Sequence, residues 1–119
     1  MLPDWKPKIG IVVPCLNEQL ILLESAQRLN AKLISLIERN SIDPESKIYF
    51  VDDGSTDSTW NIISNLVATG ERFIGIKLVR NYGHQYALYA GLMHAEGDAL
   101  ISIDADLQDD IDTIDAMIE

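Results

Sequence analysis

Four short apolar runs, each followed by a stretch of helical periodicity, leave this 119-residue chain few ways to fold. Lys8–Val13 (KIGIVV) is almost wholly apolar, as expected of a strand buried on both faces. Leu22, Ala26, Leu29, Leu33 and Leu36–Ile37 then recur at helical spacing within residues 19–39. Pro44 marks Ser41–Ser46 as a loop, and Lys47–Val51 (KIYFV) reads as a second strand. Asp57–Ala68 follows as a helix closed by Gly70, and Phe73–Val79 as a third strand. Gln85–Ala95 is a helix ending at Gly97, and Ala99–Ile103 a fourth strand. Ile111, Ile114 and Ile118 begin one more helix, with Asp109 or Asp110 as its cap. Alternating β and α segments with short connections predict an α/β domain, a mostly parallel, doubly wound sheet flanked by helices.

The length suits one domain. Neither the N-terminus nor any apolar run has the length of a signal or membrane helix, so a cytoplasmic setting with no transmembrane segment is expected. The single cysteine, Cys15, rules out an internal disulfide and reads as a small buried group. Net charge is −10 but unevenly spread. Residues 1–80 hold ten acids and nine bases, whereas 81–119 hold nine acids and no Lys or Arg. That excess argues against nucleic acid as a partner. Asp112, Asp115 and Glu119 read as a solvated helix face.

In a doubly wound sheet, ligands sit outside the carboxyl ends of the strands, beside the switch point. The unusual polar residues here all follow strand ends: Pro14–Glu18, Asp52–Asp57, Arg80–His84 and Asp104–Gln108. Asp104 and Asp106 lie two residues apart, so an extended backbone aims both the same way. With Gln108 they offer hard oxygen ligands, the set that Mg²⁺ or Mn²⁺ prefers, and such ions commonly share substrate phosphates. A helix-capping, solvated turn is the alternative. Asp53 suits a contact to a base or ribose, against a purely local role in an Asp-Gly turn, and Asp52 belongs to that turn. Glu18 is divided between ligand contact and a helix-start acid. Arg80 is divided between a phosphate and a structural ion pair. His84 and His94 read as structural.

Four stretches, VVPCLNE (12–18), VDDGSTDST (51–59), RNYGHQYALYAGL (80–92) and GDALISIDADLQDD (97–110), resemble the family 2 glycosyltransferases. The similarity is to the branch that holds dolichol-phosphate mannose synthases and bactoprenol glucosyltransferases, and it covers nearly the whole chain in order and spacing. It implies a Rossmann-like GT-A fold whose N-terminal half binds a nucleotide sugar, UDP- or GDP-linked. By motif position it implies Pro14, Leu16 and Glu18 in the nucleotide pocket, and Val51 and Asp53 against the base. Asp104, Ala105 and Asp106 then form the D-x-D that holds the metal and ribose-diphosphate, with Gln108 as a further ligand. The implied reaction is inverting, metal-dependent hexose transfer, in this branch to a polyprenyl phosphate at the cytoplasmic face of the membrane for cell-envelope glycans. Leu16 stands where the family often has an aromatic residue, and Asp110-Ile111 stands where it has Pro.

Residues 1–119 are therefore expected to be the donor-binding part of a longer catalytic domain. The acceptor half and any catalytic base would lie beyond Glu119, leaving this piece inactive in transfer, weak in nucleotide binding and prone to homo-oligomer formation through uncovered surface. Two other classes share single features. A haloacid-dehalogenase-like phosphatase carries D-x-D after its first strand, whereas three β-α units precede it here. A phosphoacceptor receiver module needs a late lysine, and none follows Lys77. A dehydrogenase is disfavoured because no G-x-G-x-x-G follows the first strand.

Overall fold

The computed structural model describes residues 5–70, 72–107, 111, 114 and 115. Its elements run β1 (Ile9–Cys15), α1 (Leu22–Glu38), β2 (Lys47–Asp52), α2 (Thr59–Ala68), β3 (Phe73–Lys77), α3 (His84–His94) and β4 (Ala99–Ser102). The strands form one sheet in the order β3-β2-β1-β4, and every pairing is parallel. Among the described residues of the last helix expected from the sequence, Ile114 and Asp115 are helical. Asp109, Asp110 and Ile118 lie outside the described residues.

The two central strands explain their own composition. Every residue of β1 is buried, because helices cover both faces of the sheet. Ile9, Ile11, Val13 and Cys15 join Ile48 and Phe50 in a core beneath α1 and α2. Val12, Tyr49 and Val51 point the other way, against Ala87 of α3. The α1 stripe is the one its spacing predicts: Leu22, Ala26, Leu29, Leu33 and Leu36 are all buried. Each buried leucine contributes roughly 2 kcal/mol relative to exposure. Gly91 lets α3 approach closely, since a Cβ there would collide with Val12 and Val51.

The boundaries differ from the sequence reading where strand pairing decides them. Pro14, Cys15 and Asp52 belong to strands rather than to loops, in the register Pro14↔Val51 and Cys15↔Asp52. A proline inside a central strand is unusual, because it donates no ladder hydrogen bond. The Val12 carbonyl accepts from Ile103 N–H, so Val12 and Pro14 turn their polar groups toward β4, while the Cys15 carbonyl faces Asp53 N–H. β4 has already ended at Ser102, opposite Val12, so the missing Pro14 N–H faces the end of the ladder. β3 stops at Lys77 because its partner β2 ends opposite at Asp52, which leaves Val79 exposed. Leu20 is also exposed, and α1 begins only after a turn in which Ile21 and Leu22 N–H donate to the Glu18 carbonyl.

The chain winds from β1 outward to β3, then returns to place β4 on the other side of β1. The switch point therefore lies between β1 and β4, and a crevice opens outside their carboxyl ends.

Candidate functional site

A cavity of about 330 Å³ occupies that crevice. Pro14, Cys15, Leu16 and Glu18 come to it from the end of β1, and Asp53 from the end of β2. Gly83 and His84 come from the start of α3, and Asp104, Ala105 and Asp106 from beyond β4. All four polar connections picked out in the sequence thus converge on one opening.

Hydrogen bonds between residues far apart in sequence hold the first two connections together. Asn17, in a left-handed conformation at φ 54°, donates its N–H to Ser55 Oγ at 2.9 Å. Its side-chain oxygen accepts from Thr56 N–H at 2.9 Å. Glu18 N–H donates to Thr59 Oγ1 at 2.8 Å, and Gln19 Oε1 accepts from Ser58 N–H at 3.0 Å. Asp57 accepts from Thr59 N–H at 2.9 Å and from Gln19 N–H at 3.3 Å. Burial works against ionisation of Asp57, but the hydroxyl and N–H of Thr59 outweigh it and hold the carboxyl below its ordinary range. The GSTDST run is therefore a strap across the β1 connection as much as a helix start.

Asp53 grips the third connection. It is buried, and its two carboxylate oxygens accept from Tyr82 N–H at 2.8 Å and Gly83 N–H at 3.1 Å. Gly54, at φ 72°, passes directly under the backbone of Arg80 and Asn81. The Arg80 guanidinium lies over the Tyr82 ring at 4.8 Å, and Tyr82 stacks on Tyr86 at 4.7 Å. His94 is structural, with Nδ1 at 2.8 Å from the Ala90 carbonyl.

The fourth connection corrects one inference. Asp104–Leu107 is not extended but a turn, closed by Leu107 N–H donating to the Asp104 carbonyl at 3.0 Å, with Leu107 at φ 52°. Both acids still line the cavity, because the turn buries Ala105 and Leu107 and leaves Asp104 and Asp106 outward. Ser25 of α1 anchors it, donating from Oγ to the Ala105 carbonyl at 2.6 Å.

Glu18 lines the cavity, and its carbonyl accepts the N–H groups of Ile21 and Leu22 at the start of α1. Burial first, then the charges of Asp106, Asp57 and Asp104, raise its pKa above the usual value. Cys15 is pushed up by burial and by Glu18 and Asp52, so it stays a thiol, and its Sγ sits 3.3 Å from the Val13 carbonyl. Asp52 is fully buried, with Oδ1 accepting from Ser55 N–H at 3.2 Å. One expected residue among those described is not brought to the cavity. The Val51 side chain packs under α3 because the strand alternation turns it there. Gln108 lies outside the described residues.

The raised Glu18 gives a pH signature. A carboxyl whose folded pKa exceeds its unfolded value lends stability below the unfolded pKa and loses it as pH rises through the folded one. Glu18→Gln is therefore expected to raise the metal-free melting temperature at about pH 7. The gain should be under about 1 kcal/mol and vanish as the medium is acidified through the carboxylate range. Melts of both proteins across that range check the sign.

Among the described residues no three His, Cys, Asp or Glu side chains meet at one point. The set nonetheless fits a hard cation: Asp104 and Asp106 stand on one turn, the Asp104 side chain is 56% exposed, and their charge already presses on Glu18. Two carboxylates that leave further positions to substrate oxygens and water suit Mg²⁺ or Mn²⁺ better than a closed cage does.

The profile of "Glycosyl transferase family 2" matches residues 10–119. The chain belongs to glycosyl transferase family 2. This family 2 chain is 48% identical over 111 residues to the uncharacterized glycosyltransferase YkoT of Bacillus subtilis, covering 92% of the chain and 33% of that protein. It is 41% identical to a prophage bactoprenol glucosyl transferase homolog of Escherichia coli, covering 94% and 35%. The chain thus spans about one third of the length of these relatives. Its fold matches that of the mannosyltransferase PcManGT from Pyrobaculum calidifontis, solved with GDP-Man and Mn²⁺. The TM-score is 0.67 and the identity 24%, over 87% of this chain and 29% of that one. The sheet is that of a GT-A glycosyltransferase, and family membership leaves the phosphatase and receiver readings without support.

His84, read from the sequence as structural, lines the cavity. Its Nε2 lies 3.9 Å from Asp104 Oδ1. The signal was positional: it follows Gly83 directly, at a strand's carboxyl end, where the other site residues were sought.

Proposed function

We propose that the cavity binds a nucleoside-diphosphate hexose together with a divalent cation, and that the protein transfers the hexose, with inversion, to a polyprenyl phosphate. The observation that carries this is the meeting of Glu18, Asp104 and Asp106 with the start of α3 at the switch point. Carboxylates on one wall and a helix N-terminus on another suit a cation–diphosphate pair better than either ion alone.

Asp104 and Asp106 would hold Mg²⁺ or Mn²⁺, with Gln108 joining them by motif position. When bound, the ion neutralises charge on the departing diphosphate. Leu16, 41% exposed, offers the base an apolar wall, with Pro14 behind it. Asp53 would bound the base side, and Ala105, held by Ser25, fixes the turn that would face the ribose and diphosphate. An acceptor phosphate oxygen attacks the anomeric carbon opposite the diphosphate, the new C–O bond forming as the bond to the diphosphate oxygen breaks. A phosphate oxygen is already ionised, so this acceptor makes little demand on a general base. The E. coli relative's bactoprenol and the GDP-Man and Mn²⁺ in PcManGT support this choice of acceptor class, donor and ion. None of the helices among the described residues is long and apolar enough to cross a membrane. A lipid-linked acceptor would put the reaction at a membrane surface, which we take to be the cytoplasmic face.

Thermal melting with UDP or GDP, each with and without Mn²⁺, tests the reading. A ligand at 100 times its Kd adds roughly 2.7 kcal/mol. The expected result is a rise that needs both nucleotide and metal, the responsive nucleotide naming the base. No rise with either pair would contradict it.

A further inference from the structure

Resting on that reading, we propose that His84 is a diphosphate-contacting residue, donating a ring N–H to the phosphate group distal to the nucleoside. Three observations place it there. It lines the cavity beside Asp104, with 61% of its side-chain surface open. The 3.9 Å between Nε2 and Asp104 Oδ1 is ion-pair distance but too long for a hydrogen bond, so the ring N–H keeps room for a closer acceptor. The backbone that carries the ring is also held, because Asp53 clamps the N–H groups of the two residues just before it, Tyr82 and Gly83.

The arrangement sets a donor beside the acids. Asp104, Asp106 and Glu18 line the cavity together, and His84, at the first position of the 11-residue helix α3, stands next to Asp104. A cation alone would use only the acids. A diphosphate bridged to that cation would bring anionic oxygens next to the ring and the start of α3, where an N–H donor and the helix dipole stabilise them. The contact needs only one ring N–H, which neutral imidazole also carries. Asp53, whose oxygens are both engaged by that loop, is then a positioning residue for His84 as well as a wall of the base side.

The test compares binding of a nucleoside diphosphate and its monophosphate, UDP with UMP and GDP with GMP, to the 119-residue chain in Mn²⁺ by calorimetry. His84→Ala is expected to weaken binding of the responsive diphosphate about tenfold and that of its monophosphate less than about twofold. His84→Gln, which keeps an N–H donor, should recover most of the loss, and the unliganded melts of both variants should match the parent. Equal weakening of mono- and diphosphate, or no weakening of either, would overturn the assignment while leaving the parent's metal-dependent binding in place. Absence of metal-dependent diphosphate binding in the parent chain would overturn the functional reading and the assignment together.

Discussion

Gly54→Ala should lower the unfolding free energy by about 3 kcal/mol and open the site with it. Gly54 sits at φ 72°, a left-handed conformation that costs an L-residue about 1–2 kcal/mol. Its missing Cβ would also fall inside the backbone atoms of Arg80 and Asn81, and backbone cannot swing aside as a flexible side chain can. Overpacking of that kind adds about 1–3 kcal/mol. Relief has to come from displacing the loop that Asp53 grips through Tyr82 and Gly83, so the damage reaches His84 and the cavity wall. Urea unfolding measures the first effect and Mn²⁺-dependent nucleotide binding the second. A variant within about 0.5 kcal/mol of the parent would show that the loop has room to move.

Asp106→Asn is the second large effect, and it has two readouts. Asp106 is the first of the charges that raise the pKa of Glu18, so neutralising it removes that repulsion and should bring the Glu18 carboxyl down toward its ordinary range. Binding of Mn²⁺ with a nucleoside diphosphate should fall by about 100-fold or more, since even partners one shell away from a metal commonly matter 10–100-fold. A loss of binding accompanied by a loss of stability would instead mark Asp106 as a structural residue of the turn.

Much of the fold could be read from the chain because its central strands are buried on both faces. KIGIVV and KIYFV had to be apolar beyond their opening lysines, and the α1 leucines had to follow the helical period. Strand ends were less legible. Pro14 and Asp52 look like loop residues, yet pairing register, which is a property of the neighbouring strand, keeps them in the sheet. The site's location followed from where polar residues succeed apolar runs, but its internal wiring did not. Asn17 with Ser55 and Thr56, and Ser25 with Ala105, are partners 38 to 80 residues apart, and no local pattern announces them. The D-x-D pair was expected to share a direction through an extended backbone, whereas a turn closed on Asp104 orients it. The stacking of Arg80 on the Tyr82 ring likewise has no local sequence signal. His84 reads as structural in the sequence, yet the loop that Asp53 holds brings it to the cavity.

The most direct measurement is the electron paramagnetic resonance signal of free Mn²⁺, titrated with the chain in the presence and absence of UDP and of GDP. The expected result is loss of free signal, approaching one ion per chain, only when the responsive nucleotide is present, with Asp104→Asn and Asp106→Asn restoring the free signal. Mn²⁺ that stays free with both nucleotides, or that binds equally well to the two variants, would mean that the acids after β4 do not form a metal–diphosphate site.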